Sequence, residues 1–533
     1  MMNKHAAVSA VSMRARPRLA GLSRLKPSRQ VCGHWQWNSI ILSAQPLGRR
    51  ILCFCPALML ISVPAAAETL ADVIAEACRG NPAVEASRAS SRAAQERVGQ
   101  AHAQFGPTLN ADASYGYAAR RVRQNGATVL RQDGFTPVLS LTLDQPLFTF
   151  GRLTAQRRLA AADYGSSVAD LQAAEQDLMA NIIIAYASVL RDEKLVAIAR
   201  SNLGQLTAQL DQIDARYAAR YATETDLQQT RTRIFSGQAQ LDLAQGALLS
   251  SRNRFRNVVG RYPENLAPLP QLPPLPRTLE EAQTQGVQSS PLLQSARYDL
   301  VAAQARLGQA RSNTRPYVSF QGSLARTPLT IEHGDPSEVT LQVQAGLTIP
   351  FYSSGLLSSR VREAAQIADS ANQQLQQAIR DVREDIATYW DQLAATRRAL
   401  PAYARAVSSA DLAFQGAQQQ QLDGQITSLD LLDTARDLLN SQQAQAQAEA
   451  QLYIQHAMLL GTMGQLRIET FAGEAAEFRP KAYTTPGWMG FPTGPAIEVL
   501  DAITYSDSFN PTPVTVEQSP EEGHEMPSEF ERP

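Results

Sequence analysis

Four stretches of the chain alternate apolar and polar side chains with a period of two. From Pro107, positions Leu109, Ala111, Ala113, Tyr115 and Tyr117 alternate with Asn110, Asp112, Ser114 and Gly116. A second stretch sets Leu139, Leu141 and Leu143 against Ser140, Thr142 and Asp144. A third sets Val318, Phe320 and Leu324 against Ser319, Gln321 and Ser323. The fourth is the most regular, with Val339, Leu341, Val343, Ala345, Leu347 and Ile349 against Thr340, Gln342, Gln344, Gly346 and Thr348. Each reads as a strand with one apolar face. Elsewhere the apolar positions follow a helical period. Ala-, Gln- and Arg-rich helices are expected over 83–104 and 292–313, long runs over 153–218 and 357–420, and returning helices over 225–260 and 427–461. Short breaks at Arg220–Thr223 and Leu422–Gln425 separate each long run from its return.

The order helix, two strands, long helix, shorter helix occurs twice. AQERVGQA at 94–101 returns as AQARLGQA at 303–310, and Pro82 and Pro107 return as Pro291 and Pro316. Pro146-Leu-Phe-Thr-Phe-Gly151 corresponds to Pro350-Phe-Tyr-Ser-Ser-Gly355, Asp226-Leu227 to Asp430-Leu431, and Gly260 to Gly461. The spacing drifts by only a few residues around a repeat of about 200. Because the anchors are Pro and Gly, shared Ala/Gln composition does not account for the match. The chain divides into a leader (1–67), a first repeat (68–276), a second repeat (277–477) and a tail (478–533), which we place at a flexible or equatorial periplasmic position.

A long run of 60 to 65 helical residues reaches roughly 90–100 Å. A return of about 35 residues plus the next leading helix of about 23 spans nearly as far. The shorter helices therefore stack end to end beside the long one, with the Pro-rich stretch Pro263–Pro276 where they meet. Pro401, inside the second long run, is expected to kink it or mark a packing irregularity. Surfaces this rich in Ala and Gln suit long helical cylinders with one wet face.

Charge refines the picture. The chain has 49 basic and 50 acidic residues, a balance that excludes a globally basic nucleic-acid binder, and 44% hydrophobic residues exclude a disordered chain. Residues 1–67 contain only basic charges. Within them Arg49-Arg50, the apolar run Ile51–Val63 and Pro64-Ala-Ala-Ala67 have the layout of a secretory signal cleaved after Ala67. The run is too short for a spanning helix, which needs about 20 residues. Cleavage removes Cys32, Cys53 and Cys55 and leaves Cys78, which follows Ala75-Glu76-Ala77, a poor lipidation context; a buried, unreactive thiol is expected.

For an exported chain, alternating strands of about 10 residues carry the signature of a transmembrane β-barrel, although a soluble amphipathic sheet alternates in the same way. Four strands do not close a barrel, and an open edge is not tolerated in hydrocarbon. Copies must share one, giving 8 strands as a dimer, 12 as a trimer or 16 as a tetramer.

The duplicated order, the two Pro-x-x-x-x-Gly junctions (Pro146 to Gly151, Pro350 to Gly355) and the helix starts at Thr225-Asp226-Leu227 and Asp430-Leu-Leu-Asp433 together resemble the TolC family of outer-membrane efflux and export channels, over roughly residues 69–470. The resemblance implies an α+β, internally duplicated fold in the outer membrane. A homotrimer would close a 12-stranded barrel, surrounded by outer-membrane lipid, above a long-helix α-barrel. It further implies a periplasmic adaptor (membrane fusion protein), an inner-membrane ABC-type or other transporter, and a gate at the periplasmic tip. Asp430 and Asp433 correspond to the family's pore-facing aspartates, so three copies would form two stacked acidic rings able to gather cations. Thr225 and Asp226 match positions that help hold the tip closed. Helix capping by Thr225, Thr427 or Ser428 is the plainer alternative. Gln421 and Ile426 stand where a tyrosine and an arginine form closing links in the best-known member, and Arg220 stands where a glycine is usual. The closed-state lock should therefore differ.

No P-loop, H-E-x-x-H, G-x-S-x-G or dinucleotide-binding pattern occurs, and His102, His333, His456 and His524 are scattered without metal-ligand spacing. No enzyme activity, cofactor, bound metal or nucleic-acid partner is expected. The leading reading is a passive duct, for type I protein (toxin) secretion ahead of small-molecule efflux; a soluble periplasmic coiled-coil scaffold is the alternative class.

Overall fold

A computed structural model describes residues 67–328, 337–468 and 489–504. The leader with its proposed signal, His333 and most of the tail lie outside the described residues. The first repeat contains α1 (Leu70–Gly80), α2 (Pro82–Ala103), β1 (Thr108–Gln124), β2 (Ala127–Phe148), α3 (Arg152–Ala218) and α4 (Glu224–Val259). The second contains α5 (Leu279–Ser289), α6 (Pro291–Ser312), β3 (Tyr317–Pro328), β4 (Ser337–Thr348), α7 (Leu356–Leu422) and α8 (Ser428–Thr462). A further helix, α9 (Gly494–Thr504), follows in the tail. Both long helices have 67 residues, about 100 Å at the helical rise. α7 continues through Pro401. The ring faces solvent there, so water can satisfy the carbonyl of Arg397 that loses its backbone donor.

The strands form one antiparallel sheet in the order β1-β2-β3-β4. Its register stacks like with like. Ala111, Leu141, Leu324 and Leu341 form a row across all four strands, and Asn110, Thr142, Ser323 and Gln342 form the next. Since successive side chains point to opposite faces, one face is apolar and the other polar from edge to edge. The apolar face is uncovered: Leu109, Leu341 and Leu347 are all more than 60% exposed. On the polar face Gln344 donates to Gln321 at 2.9 Å. Asn125 and Gly126, both at positive φ, close the β1–β2 hairpin in a two-residue turn.

The main core lies midway along α3, away from the sheet. Leu70, Val73, Ile74 and Cys78 of α1 pack on Ile182, Ile183 and Tyr186 of α3, Phe255 of α4 and Leu460 of α8. The Pro-rich stretch packs here as a strap, with Leu266, Leu269, Leu272 and Leu275 half-buried against the cluster. The Tyr186 hydroxyl meets the carbonyls of Glu68 (2.9 Å) and Ala267 (2.6 Å), fixing the strap to the long helix. A second core joins α5, α6, α7 and α8 around Leu293, Leu375, Ile386 and Leu459. Burial pushes the Cys78 thiol up to about 11, with Glu175 adding to the rise, so it stays neutral and unreactive as expected.

α1 and α5, not among the helices expected from the periodicity, have only 11 residues each, too few for a helical period to stand out. Thr69 with Asp72, and Thr278 with Glu281, are N-cap signatures that announce both. The tail departs from expectation more sharply. Residues 489–504 are not equatorial but pack at the strand-to-helix junction, where Ile497 joins Phe105 and Leu153.

Candidate functional site: barrel junctions and periplasmic tip

At both strand-to-helix junctions two consecutive residues adopt left-handed backbone: Phe150 and Gly151 (φ 52° and 87°), and Ser354 and Gly355 (φ 50° and 81°). Each Gly is the N-cap of a long helix. The repeated turn redirects the chain from sheet to helix, and glycine holds it without the Cβ clash. Pro146 lies in β2 opposite Ser319, beside an irregularity between Pro146 and Phe148, and Pro350 follows β4.

At the far end, α3 turns into α4 and α7 into α8. Both returns open with a capping box. Thr223 caps α4, its hydroxyl accepting from the Asp226 amide (3.2 Å) while Asp226 Oδ2 accepts from Thr223 N (3.0 Å) and Oγ1 (2.8 Å). Thr427 and Asp430 repeat the arrangement on α8 at 3.0, 2.7 and 3.2 Å. The caps are therefore Thr223 and Thr427, not Thr225 or Ser428. Thr225 sits exposed in the first turn of α4, and Ser428 Oγ accepts from the Gln421 amide at 3.2 Å. The two hydrogen bonds from Thr427 hold the Asp430 carboxyl below its ordinary pKa, although it is open to solvent. It stays ionised while doing its capping work.

Within one chain Asp433 is ion-paired rather than free, a contact the sequence does not reveal. It is half-buried, with Arg233 Nη2 of α4 at 2.9 Å and Arg436 of its own helix at 3.6 Å. Arg216, near the end of α3, donates to the Gln421 carbonyl at 3.3 Å. Gln421 is buried, and Ile426 packs beside the apolar cluster of Phe414, Leu431 and Ala435. The structure thus brings Asp433 to the first repeat, whereas among the described residues Thr225 and Asp226 make no hydrogen bond to α7 or α8. Arg216 and Arg233 escaped the sequence reading because their partners are about 200 residues away, and nothing local marks which helical arginine crosses to the other repeat. Among the described residues no group of three His, Cys, Asp or Glu is placed to hold a metal, and no helix is long and apolar enough to cross a membrane.

A duplicated long-helix chain with a four-stranded, lipid-compatible sheet defines a channel-tunnel protein. The chain belongs to the outer membrane efflux protein family, whose model matches residues 73–261 and 284–465. It is similar to the outer membrane efflux protein BepC of Brucella suis, at 24% identity over 80% of this chain and 93% of that protein. Against the outer membrane protein TolC of Escherichia coli K12 it is 26% identical over 75% of this chain and 83% of that protein. The fold matches the solved outer membrane protein VceC of Vibrio cholerae with a TM-score of 0.66 at 20% identity, over 74% of this chain and 96% of that one. The family places the chain in the outer membrane and accounts for its lack of enzyme motifs. TolC-family channels are homotrimers that work with adaptor proteins and inner-membrane pumps.

Proposed function

We propose that this chain is the passive exit duct of a transport assembly, with its gate at the α3–α4 and α7–α8 turns. The observation that carries the reading is the sheet's register: a continuous apolar face and a continuous polar face, joined through left-handed glycine turns to helices about 100 Å long. Cargo supplied by an inner-membrane transporter through a periplasmic adaptor enters at the tip, passes the gate and leaves through the barrel. Asp430 supplies the acidic ring, while Arg233–Asp433 and Arg216–Gln421 tie the two repeats together in the closed state.

Cargo class is the finer part of the proposal. Type I protein export is proposed on the poor lipidation context before Cys78, and burial of Cys78 in α1 agrees with a duct that carries no lipid on that cysteine. Membership of the outer membrane efflux protein family and similarity to the outer membrane efflux protein BepC support the second reading, small-molecule efflux. Recording trimers in planar bilayers tests the duct. Discrete cation-preferring channels are expected, with the preference reduced in Asp430→Asn; absence of channels from correctly assembled protein would refute the reading. Deleting the gene separates the cargoes: loss of one secreted protein with unchanged drug tolerance marks protein export, and the reverse marks efflux.

A further inference from the structure

We infer that α9 is a membrane-interface helix whose outward face lies among the headgroups and upper acyl chains of the periplasmic leaflet of the outer membrane. The inference rests on the reading of the sheet as a barrel segment.

Its position comes from strand parity. Gln145 falls on the same face of β2 as Leu139, Leu141 and Leu143, the face assigned to lipid. Thr493 Oγ1 donates to Gln145 Oε1 at 2.7 Å, which docks the start of α9 on the outer wall at the foot of the apolar belt. The approach is close: a Cβ on Gly106 would come within 2.8 Å of the Gly490 Cα. Among residues 489–504 the only charged side chains are Glu498 and Asp501, and both turn toward the protein. Asp501 is fully buried and accepts from Thr149 N (3.0 Å), Thr149 Oγ1 (2.8 Å) and Thr154 Oγ1 (3.3 Å). Glu498 pairs with Arg157 and lies 3.9 Å from His102 Nδ1.

What remains outward is apolar. Phe491 is 67% exposed, Val499 60% and Leu500 50%, with Pro492, Pro495 and Ala496 exposed beside them. A helix facing water carries its charges outward; this one turns them to the junction and presents an uncharged face, with Thr493 tying its start to the strand that carries Leu139, Leu141 and Leu143. It docks on β2, an inner strand, rather than on β1 or β4, the edges along which neighbouring copies must join. Lipid is therefore the occupant that the geometry favours over a second copy.

A nitroxide at Val499→Cys, with Leu500→Cys as a second site, tests this in trimers reconstituted in phosphatidylethanolamine/phosphatidylglycerol vesicles by collision with oxygen and a nickel chelate. Leu341→Cys on the apolar sheet face is the lipid reference, and Tyr221→Cys at the tip is the water reference. Oxygen collision dominating at Val499, at a depth of about 5–10 Å, with nickel access well below that at Tyr221, is the expected result. Nickel access equal to Tyr221 puts the helix in water and overturns the inference. Exclusion of both reagents assigns the face to a neighbouring copy and also overturns it. A water-exposed Leu341 label would instead bring down the barrel reading and this inference with it, so the two failures are distinguishable.

Discussion

Arg220 holds φ at 64° in the turn where the second repeat has Gly424 at 73°. Both residues end a long helix in the same way: the Tyr221 amide reaches back to Arg216 O at 2.7 Å, and the Gln425 amide to Gln420 O at 2.8 Å. A left-handed non-glycine residue costs about 1 kcal/mol through its Cβ, so the first tip turn is the less stable of the two. Arg220→Gly removes that clash at the expense of extra freedom in the unfolded turn, a net gain of roughly 0.5 kcal/mol. Amide exchange at Tyr221 should then slow about twofold. Unchanged or faster exchange would show that the arginine side chain stabilises the turn by other contacts.

At the level of elements, most of the architecture was legible because it depends on local periodicity. The long helices, expected over 153–218 and 357–420, run over Arg152–Ala218 and Leu356–Leu422. The strand faces follow the alternation because a one-residue slip would reverse every side chain. What escaped depends on distant partners. α9 has little helical signal of its own, and its place is set by Thr149 and Thr154, about 350 residues earlier. The hairpin's extension to Gln124 runs past Tyr117 into a segment where alternation gives way to Arg120, Arg121 and Arg123, so period alone did not reveal it. The rows also yield a paired test. Leu341→Arg places a charge on the lipid-facing row at a cost of about 2–4 kcal/mol near the bilayer midplane, whereas Gln342→Arg, one residue on, enters the polar row. Outer-membrane yield of heat-resistant trimer should fall severely for the first and little for the second. Equal yields would mean that the alternation separates no lipid from water.

For the molecule as a whole, the two repeats are fastened to each other at the tip inside one chain, by Arg233 to Asp433 and by Arg216 to the Gln421 carbonyl. A trimer multiplies each link by three, and that multiplication makes weak contacts decisive. Arg233 and Asp433 are about one-third and two-fifths exposed, so a single pair contributes only about 0.5 kcal/mol after solvent screening. Three together come to about 1.5 kcal/mol, close to a tenfold change in the ratio of open to closed tips. Arg233→Gln and Asp433→Asn should therefore each raise the open population of single channels about tenfold. Because both substitutions remove the same link, the double variant should open no further than either single one. Raising ionic strength should narrow the difference from the parent, since half-exposed charges are screened. Additive effects in the double variant would mean that Asp433 acts through Arg436 or as a pore charge. No change in any variant would remove the pair from the gate and leave the closed tip to the apolar packing of Ile426 and Phe414.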